Sequence, residues 1–235
     1  MARLCQVVDV GAHPIDGPPP YAGMFDAGLC AVTGFEPQPC GLVDTPLSRF
    51  LPYALGSGSP GTLRICAAPG MTSLFEPNPA ALGLFAGFGD FGRVLDRVPI
   101  ETRRLDDVVE IDRIDYIKLD VQGSELAIIR SGRARLKSCV MIHTEVSFVP
   151  LYIGQPVFGD IDLELRAQGF MPHCFADVKT WPLLPATVGG RQLLEADVVY
   201  VRPPETLDSD GRATLALLAH WCCQSADLAA RCLAV

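Results

Sequence analysis

The run Ile114-Asp115-Tyr116-Ile117-Lys118-Leu119-Asp120 constrains this chain most. It is short and apolar, ends on an acid, and is followed at once by Gly123-Ser124-Glu125, which opens a helix through about Arg130. The pattern recurs. Cys5-Gln6-Val7-Val8-Asp9-Val10 stops at Gly11, and residues 29–35 are closed by Glu36-Pro37-Gln38-Pro39. Residues 140–146 form another such run, with His143 and Glu145 on one parity and Ile142 and Thr144 on the other. Strands alternating with helices imply a doubly wound α/β fold, a mostly parallel sheet with helices on both faces.

The remaining segments fit that frame. Pro14, Pro18, Pro19 and Pro20 forbid a regular helix directly after the first strand, so a helix resumes near Tyr21 and runs to Ala27. Residues 49–55 read as a third strand turning at Gly56, and residues 62–67 and 71–75 as an added strand pair. Residues 77–92 read as an ordered loop or lid anchored by Phe85, Phe88 and Phe91, and residues 94–103 as a strand before a short helix at Leu105-Asp106-Asp107. Residues 161–168 are helical up to Gly169, residues 170–175 and 196–201 are strands, and residues 213–233 are helical. At 235 residues one domain is expected, with a cofactor half over about 1–125 and an acceptor half over about 126–235.

Composition excludes several classes. A net charge of −8, with only short and interrupted basic segments, argues against nucleic acid as a partner. No run approaches the ~20 apolar residues of a membrane span. Residues 1–9 reach an acid before a leader-like apolar run forms, so a cytoplasmic protein is expected. The nine cysteines include no C-x-x-C pair and read as reduced apolar fillers.

The chemistry enters at the strand ends. Gly11 follows one strand and Glu36 ends the next about 25 residues later, the arrangement by which a doubly wound sheet receives a nucleoside and holds its ribose. The dinucleotide spacing G-x-G-x-x-G is missing, and the prolines block a phosphate-cradling helix start. S-adenosylmethionine needs no such cradle.

The stretches Val8-Asp9-Val10-Gly11-Ala12, Gly34-Phe35-Glu36-Pro37, Leu105-Asp106-Asp107 and Lys118-Leu119-Asp120-Val121-Gln122-Gly123-Ser124-Glu125 resemble the FkbM-type methyltransferases, as does the acid-bearing strand at 142–146. The resemblance spans about residues 7–201. It implies a class I methyltransferase fold, S-adenosylmethionine as cofactor, and methylation of a hydroxyl on a sugar, glycan or secondary metabolite. Members commonly carry a second glycine soon after Gly-Ala, whereas this loop continues His13-Pro14-Ile15-Asp16-Gly17.

Under this reading Asp9, Gly11, Ala12, His13, Glu36, Pro37, Ala54, Leu55 and Gly56 form the cofactor side, Asp9 meeting the donor's ammonium end and Glu36 its ribose. Asp120, His143 and Glu145 form the catalytic side. Asp120 either caps the following helix or joins Glu145 on a divalent ion such as magnesium; His143 is either a general base or a hydrogen-bonded core histidine. Lys118 should pair with Glu125 or Glu145, and Tyr152 and Gln155 either line the acceptor pocket or pack beneath the sheet. Trp181 and Trp221 suit an apolar cap or a homo-oligomer contact equally.

Two other functions share parts of this pattern. A non-catalytic binding domain would keep the fold with its irregular first loop. A nicotinamide-dependent oxidoreductase would share the first two loops, but no Tyr-x-x-x-Lys occurs in the sequence.

Overall fold

The computed structural model describes residues 3–13, 17–38 and 41–234. Pro14, Ile15, Asp16, Pro39 and Cys40, on which parts of the loop reading rest, lie outside the described residues. In chain order the elements are β1 (Cys5–Val10), α1 (Ala22–Asp26), β2 (Cys30–Phe35), β3 (Ser48–Leu51), β4 (Ala54–Leu55), β5 (Pro60–Cys66), α2 (Pro79–Leu82), α3 (Phe88–Phe91), β6 (Val94–Arg103), β7 (Tyr116–Leu119), α4 (Glu125–Ser131), β8 (Met141–Ser147), α5 (Phe158–Ala167), β9 (Met171–Trp181), β10 (Gln192–Val201), α6 (Ser209–Cys223) and α7 (Ala226–Ala234).

Seven strands form the main sheet in the order β3-β2-β1-β7-β8-β10-β9. The pairings from β3 through β8 are parallel, and β10 runs antiparallel to both of its neighbours. Strand alternation sorts the core into two layers. Val8, Val10, Ile117, Leu119, Ile142 and Val146 pack with Ile128 and Ile129 of α4 and with Ile161 and Leu165 of α5. Cys5, Val7, Tyr116, Met141, Val199 and Val201 face the other way, against Met24 of α1, Leu215 and Leu218 of α6 and Leu228 of α7.

The structure corrects four local expectations. The third strand breaks at Pro52, which has no amide to donate: β3 stays in the main sheet, while β4 pairs with β6 in a separate three-stranded sheet, β4-β6-β5. β5 pairs antiparallel with β6, and the 71–75 segment contributes only an isolated bridge between Arg64 and Ser73. Residues 77–92 hold two short helices; Phe85 and Phe88 are buried as anchors, but Phe91 is 43% exposed. The C-terminal helical stretch is two helices, broken where Gln224 takes a left-handed φ of 51°.

Candidate active site

The carboxyl ends of the parallel strands open into a cleft of about 770 Å³. Its shape begins with Gly11, whose φ of +79° turns the chain off β1 and brings its backbone against the loop after β7. The Gly11 and Ala12 amides both donate to the Phe35 carbonyl, which ties this turn to the end of β2.

Strand pairing then assembles the floor. Asp9, Lys118 and His143 are successive lateral partners across β1, β7 and β8. Asp9 shares parity with Cys5 and Val7, and Lys118 with Tyr116, so these groups stand on the face covered lower down by α1, α6 and α7. Asp120, Glu145 and Asp197 stand on the same face, Asp197 directly opposite Glu145 in the β8–β10 register. The apolar layer ends and a charged floor begins.

Asp9 is buried, and its Oδ2 accepts a 2.6 Å hydrogen bond from the Tyr21 hydroxyl. Lys118 Nζ lies 3.6 Å from Asp9 and 3.5 Å from Asp120. Burial pushes the Asp9 carboxyl up, opposed by Lys118 and the Tyr21 hydrogen bond. Burial would lower Lys118, but Asp9 and Asp120 outweigh it and leave the ammonium more stable than usual. The expected pairing of Lys118 with Glu125 or Glu145 is thus replaced by Asp9 and Asp120, because parallel register sets Asp9 beside it.

The turn after β7 is held from below. Glu125 accepts hydrogen bonds from the Val121 amide at 2.9 Å and the Gly123 amide at 3.0 Å, while Gln122 takes a left-handed φ of 55°. That conformation sends the Gln122 amide to Asp120 Oδ1 at 3.1 Å and Glu145 Oε2 at 2.9 Å. Tyr152 and Gln155 do not line the cleft: Tyr152 bonds Gln122 Oε1 and the Met71 carbonyl, and Gln155 bonds Ser147. Tyr152 packs with Met71, Leu82 and Phe85 in a separate apolar cluster rather than beneath the sheet, and from there it braces Gln122.

The donor set does not fit a divalent ion shared by Asp120 and Glu145. The two acids share the NH₂ of Gln122 and face Lys118 and Lys179, the latter 3.6 Å from Glu145. Among the described residues no group of three or more metal-ligating side chains converges. Burial, with Asp120 and Glu195 nearby, holds the Glu145 carboxyl well above the ordinary range, opposed by Lys179.

At the other end of the cleft Glu36 accepts from the Gln38 amide at 2.8 Å. Burial raises its pKa, partly offset by Gln38 and His13. His13, Pro37, Ala54 and Leu55 line the same end with Phe35, Phe50 and Tyr53. Gly56 does not: it is packed against Thr102, and its amide donates to the Arg103 carbonyl. Neither do residues 77–92 cover the cleft; that position is taken by Pro69, Gly70 and residues 72–74.

Sequence reasoning missed Tyr21, Gln122, Asp177, Lys179 and Asp197, all of which line the cleft. Gln122 had a usable signal, lying inside the block with the sharpest resemblance. Asp197 had none, since it sits inside a strand whose neighbours depend on the sheet order.

The sheet order, with its single reversed strand, and a cleft at the parallel strand ends define a class I methyltransferase fold. Residues 9–172 match the methyltransferase FkbM domain model, and the chain belongs to that family. A 2-O-methyltransferase, NoeI of Sinorhizobium fredii (strain NBRC 101917 / NGR234), is 42% identical over 79 residues, 30% of this chain and 32% of NoeI. The match thus spans about a third of that relative's length. Among solved structures, magnesium protoporphyrin IX methyltransferase (ChlM) of Synechocystis PCC 6803 with bound SAM is 12% identical. It has a TM-score of 0.44, with 86% of this chain and 72% of that one covered. A TehB-like SAM-dependent methyltransferase of Corynebacterium glutamicum ATCC 13032 is 10% identical at a TM-score of 0.39, covering 86% and 83%. Among the described residues no helix is long and apolar enough to cross a membrane.

Proposed function

We propose that this protein transfers a methyl group from S-adenosylmethionine to a hydroxyl of a sugar, glycan or secondary metabolite. The observation that carries this reading is the chemical division of one cleft. Its β2–β3 end is apolar and finishes at Glu36; its β7–β8–β10 end is charged. An adenosine suits the first end: Phe50 and Leu55 offer apolar surface to the base, and Glu36 offers acceptors to the ribose hydroxyls. Gly11 and Ala12 line the cleft between these two ends, where the methionine part would lie.

When bound, the donor supplies a methyl group already activated by its sulfonium. The chain's own residues then have to orient the two substrates, exclude water and take one proton from the acceptor. The charged end suits a hydroxylated acceptor, because carboxylates accept from hydroxyls and lysines donate to their oxygens. NoeI, whose name records 2-O-methylation, supports oxygen as the acceptor atom.

Calorimetry tests the donor half. The wild type should bind S-adenosylmethionine and its demethylated product, and Glu36→Ala should weaken both by tenfold or more, the loss of ~1.5–3 kcal/mol of charged hydrogen bonding. Absence of uptake by the wild type would end the reading. Binding without turnover on any hydroxylated acceptor would favour the non-catalytic domain instead.

A further inference from the structure

The acids at the β7–β8–β10–β9 end of the cleft are unequal. Asp120 and Glu145 accept from Gln122, and Asp177 accepts from the Val178 amide. Asp197 accepts no hydrogen bond from any described residue, although its side chain is only 31% exposed and lines the cleft. Among the described residues the basic nitrogen within 4.0 Å of its carboxylate is Nε2 of His143, 3.9 Å from Asp197 Oδ1 and too far for a hydrogen bond. His143 is itself 5% exposed, and its Nδ1 is buried without a partner. A buried imidazole and a carboxylate that face each other in a cleft without bonding leave polar capacity for a third group.

We propose that Asp197 is the general base that takes the proton from the acceptor hydroxyl, with His143 holding that hydroxyl beside it. This rests on the methyltransferase reading above. It also places the base outside residues 9–172, on the one strand of the main sheet that runs against the rest.

In the step the acceptor oxygen forms its bond to the methyl carbon, and the carbon–sulfur bond breaks with its electron pair returning to sulfur. The hydroxyl proton passes to an oxygen of Asp197 and leaves from there to solvent. Charge balances, since the donor's positive charge and the Asp197 negative charge disappear together.

The surroundings favour Asp197 over the other candidates. It is faced by Lys118 of β7 and Asp120 just after it, His143 and Glu145 from β8, and Asp177 and Lys179 from β9. Burial and Asp120 push its carboxyl up to about 6, leaving it ionised at neutral pH yet more basic than an ordinary aspartate. Burial and Lys118 pull His143 down to about 4, so its ring stays neutral and can hydrogen-bond a hydroxyl but is a weak base. Burial and its acidic neighbours push the Glu145 carboxyl well above the ordinary range, and it already accepts from Gln122.

The test uses labelled S-adenosylmethionine with a panel of methyl glycosides of the common hexoses and deoxyhexoses, alongside calorimetry of the donor. The wild type should show kcat/KM rising with pH through about 6, where Asp197 ionises. Asp197→Asn should lose at least a hundredfold in kcat and lose that inflection, while binding S-adenosylmethionine as the wild type does. Asp197→Glu should restore part of the rate. His143→Asn should raise KM for the glycoside more than it lowers kcat. Turnover by Asp197→Asn within threefold of the wild type would overturn the role of Asp197. A panel with no turnover despite donor binding would overturn that role together with the glycoside acceptor, whereas absence of donor binding would overturn the methyltransferase reading itself.

Discussion

Gly11 and the carbonyl oxygen of Asp120 stand so close that a side chain on Gly11 would overlap it. With its φ of +79°, the glycine therefore serves twice: the turn needs a left-handed residue, and the β7 loop needs the space. Gly154 provides an internal control, having the same φ of +79° but no atom within 4 Å of where a Cβ would sit. Gly154→Ala should cost only the backbone strain, about 1–2 kcal/mol. Gly11→Ala should cost more, and should also weaken binding of S-adenosylmethionine because the overlap displaces the Asp120 loop. Denaturant unfolding and calorimetry on both variants check this. Equal losses of stability with intact binding would mean that the close approach is dispensable.

The network beneath that loop makes a second prediction. Tyr21 gives Asp9 its 2.6 Å hydrogen bond, while Lys118 reaches it only at 3.6 Å and is shared with Asp120. Tyr21→Phe removes the hydroxyl without opening a cavity. A hydrogen bond to a charged group contributes about 1.5–3 kcal/mol, so the variant should be destabilised by that order when Asp9 is ionised. Burial raises the Asp9 pKa and the Tyr21 bond lowers it, so the lost bond matters most where Asp9 carries its charge. The destabilisation should therefore be larger at pH 8 than at pH 5. An identical loss at both would show that Asp9 keeps one protonation state throughout.

How much of this was legible in the sequence depends on which interactions are local. Asp9, Glu36, Asp120 and Glu145 could be read as ends of apolar runs, because a carboxylate ending a buried strand is costly without a purpose there. Their partners could not. The Asp9–Lys118–His143 row exists only because β1 lies beside β7 and β7 beside β8, in a register no single segment encodes. Asp197 was hidden for the same reason: within its own strand it reads as one polar residue among Leu194, Ala196, Val198 and Val199, and only the antiparallel pairing sets it opposite Glu145. Pro52 was the opposite case. It stood in plain view inside the run read as one strand, and the chain breaks there.

Glu125 makes the third prediction, on pH and stability. It is buried, its carboxylate holds the Val121 and Gly123 amides, and burial raises its pKa from 4.5 to about 7. An acid raised on folding holds a proton in the native state that the unfolded chain has already released. Stability must then fall as pH rises from about 4.5 to about 7, and this contribution is flat outside that window. The full effect is at most roughly 3 kcal/mol. Glu125→Gln keeps one oxygen acceptor for the loop but cannot ionise. Other buried acids give both proteins a common pH profile, so the informative quantity is the stability of the wild type minus that of Glu125→Gln, measured by urea unfolding at intervals from pH 4.5 to 7.5. That difference should shift against the wild type through the window and level off above it. A constant difference would show that Glu125 titrates alike in the folded and unfolded chains, and that the amides of the loop, rather than a proton, satisfy it at every pH.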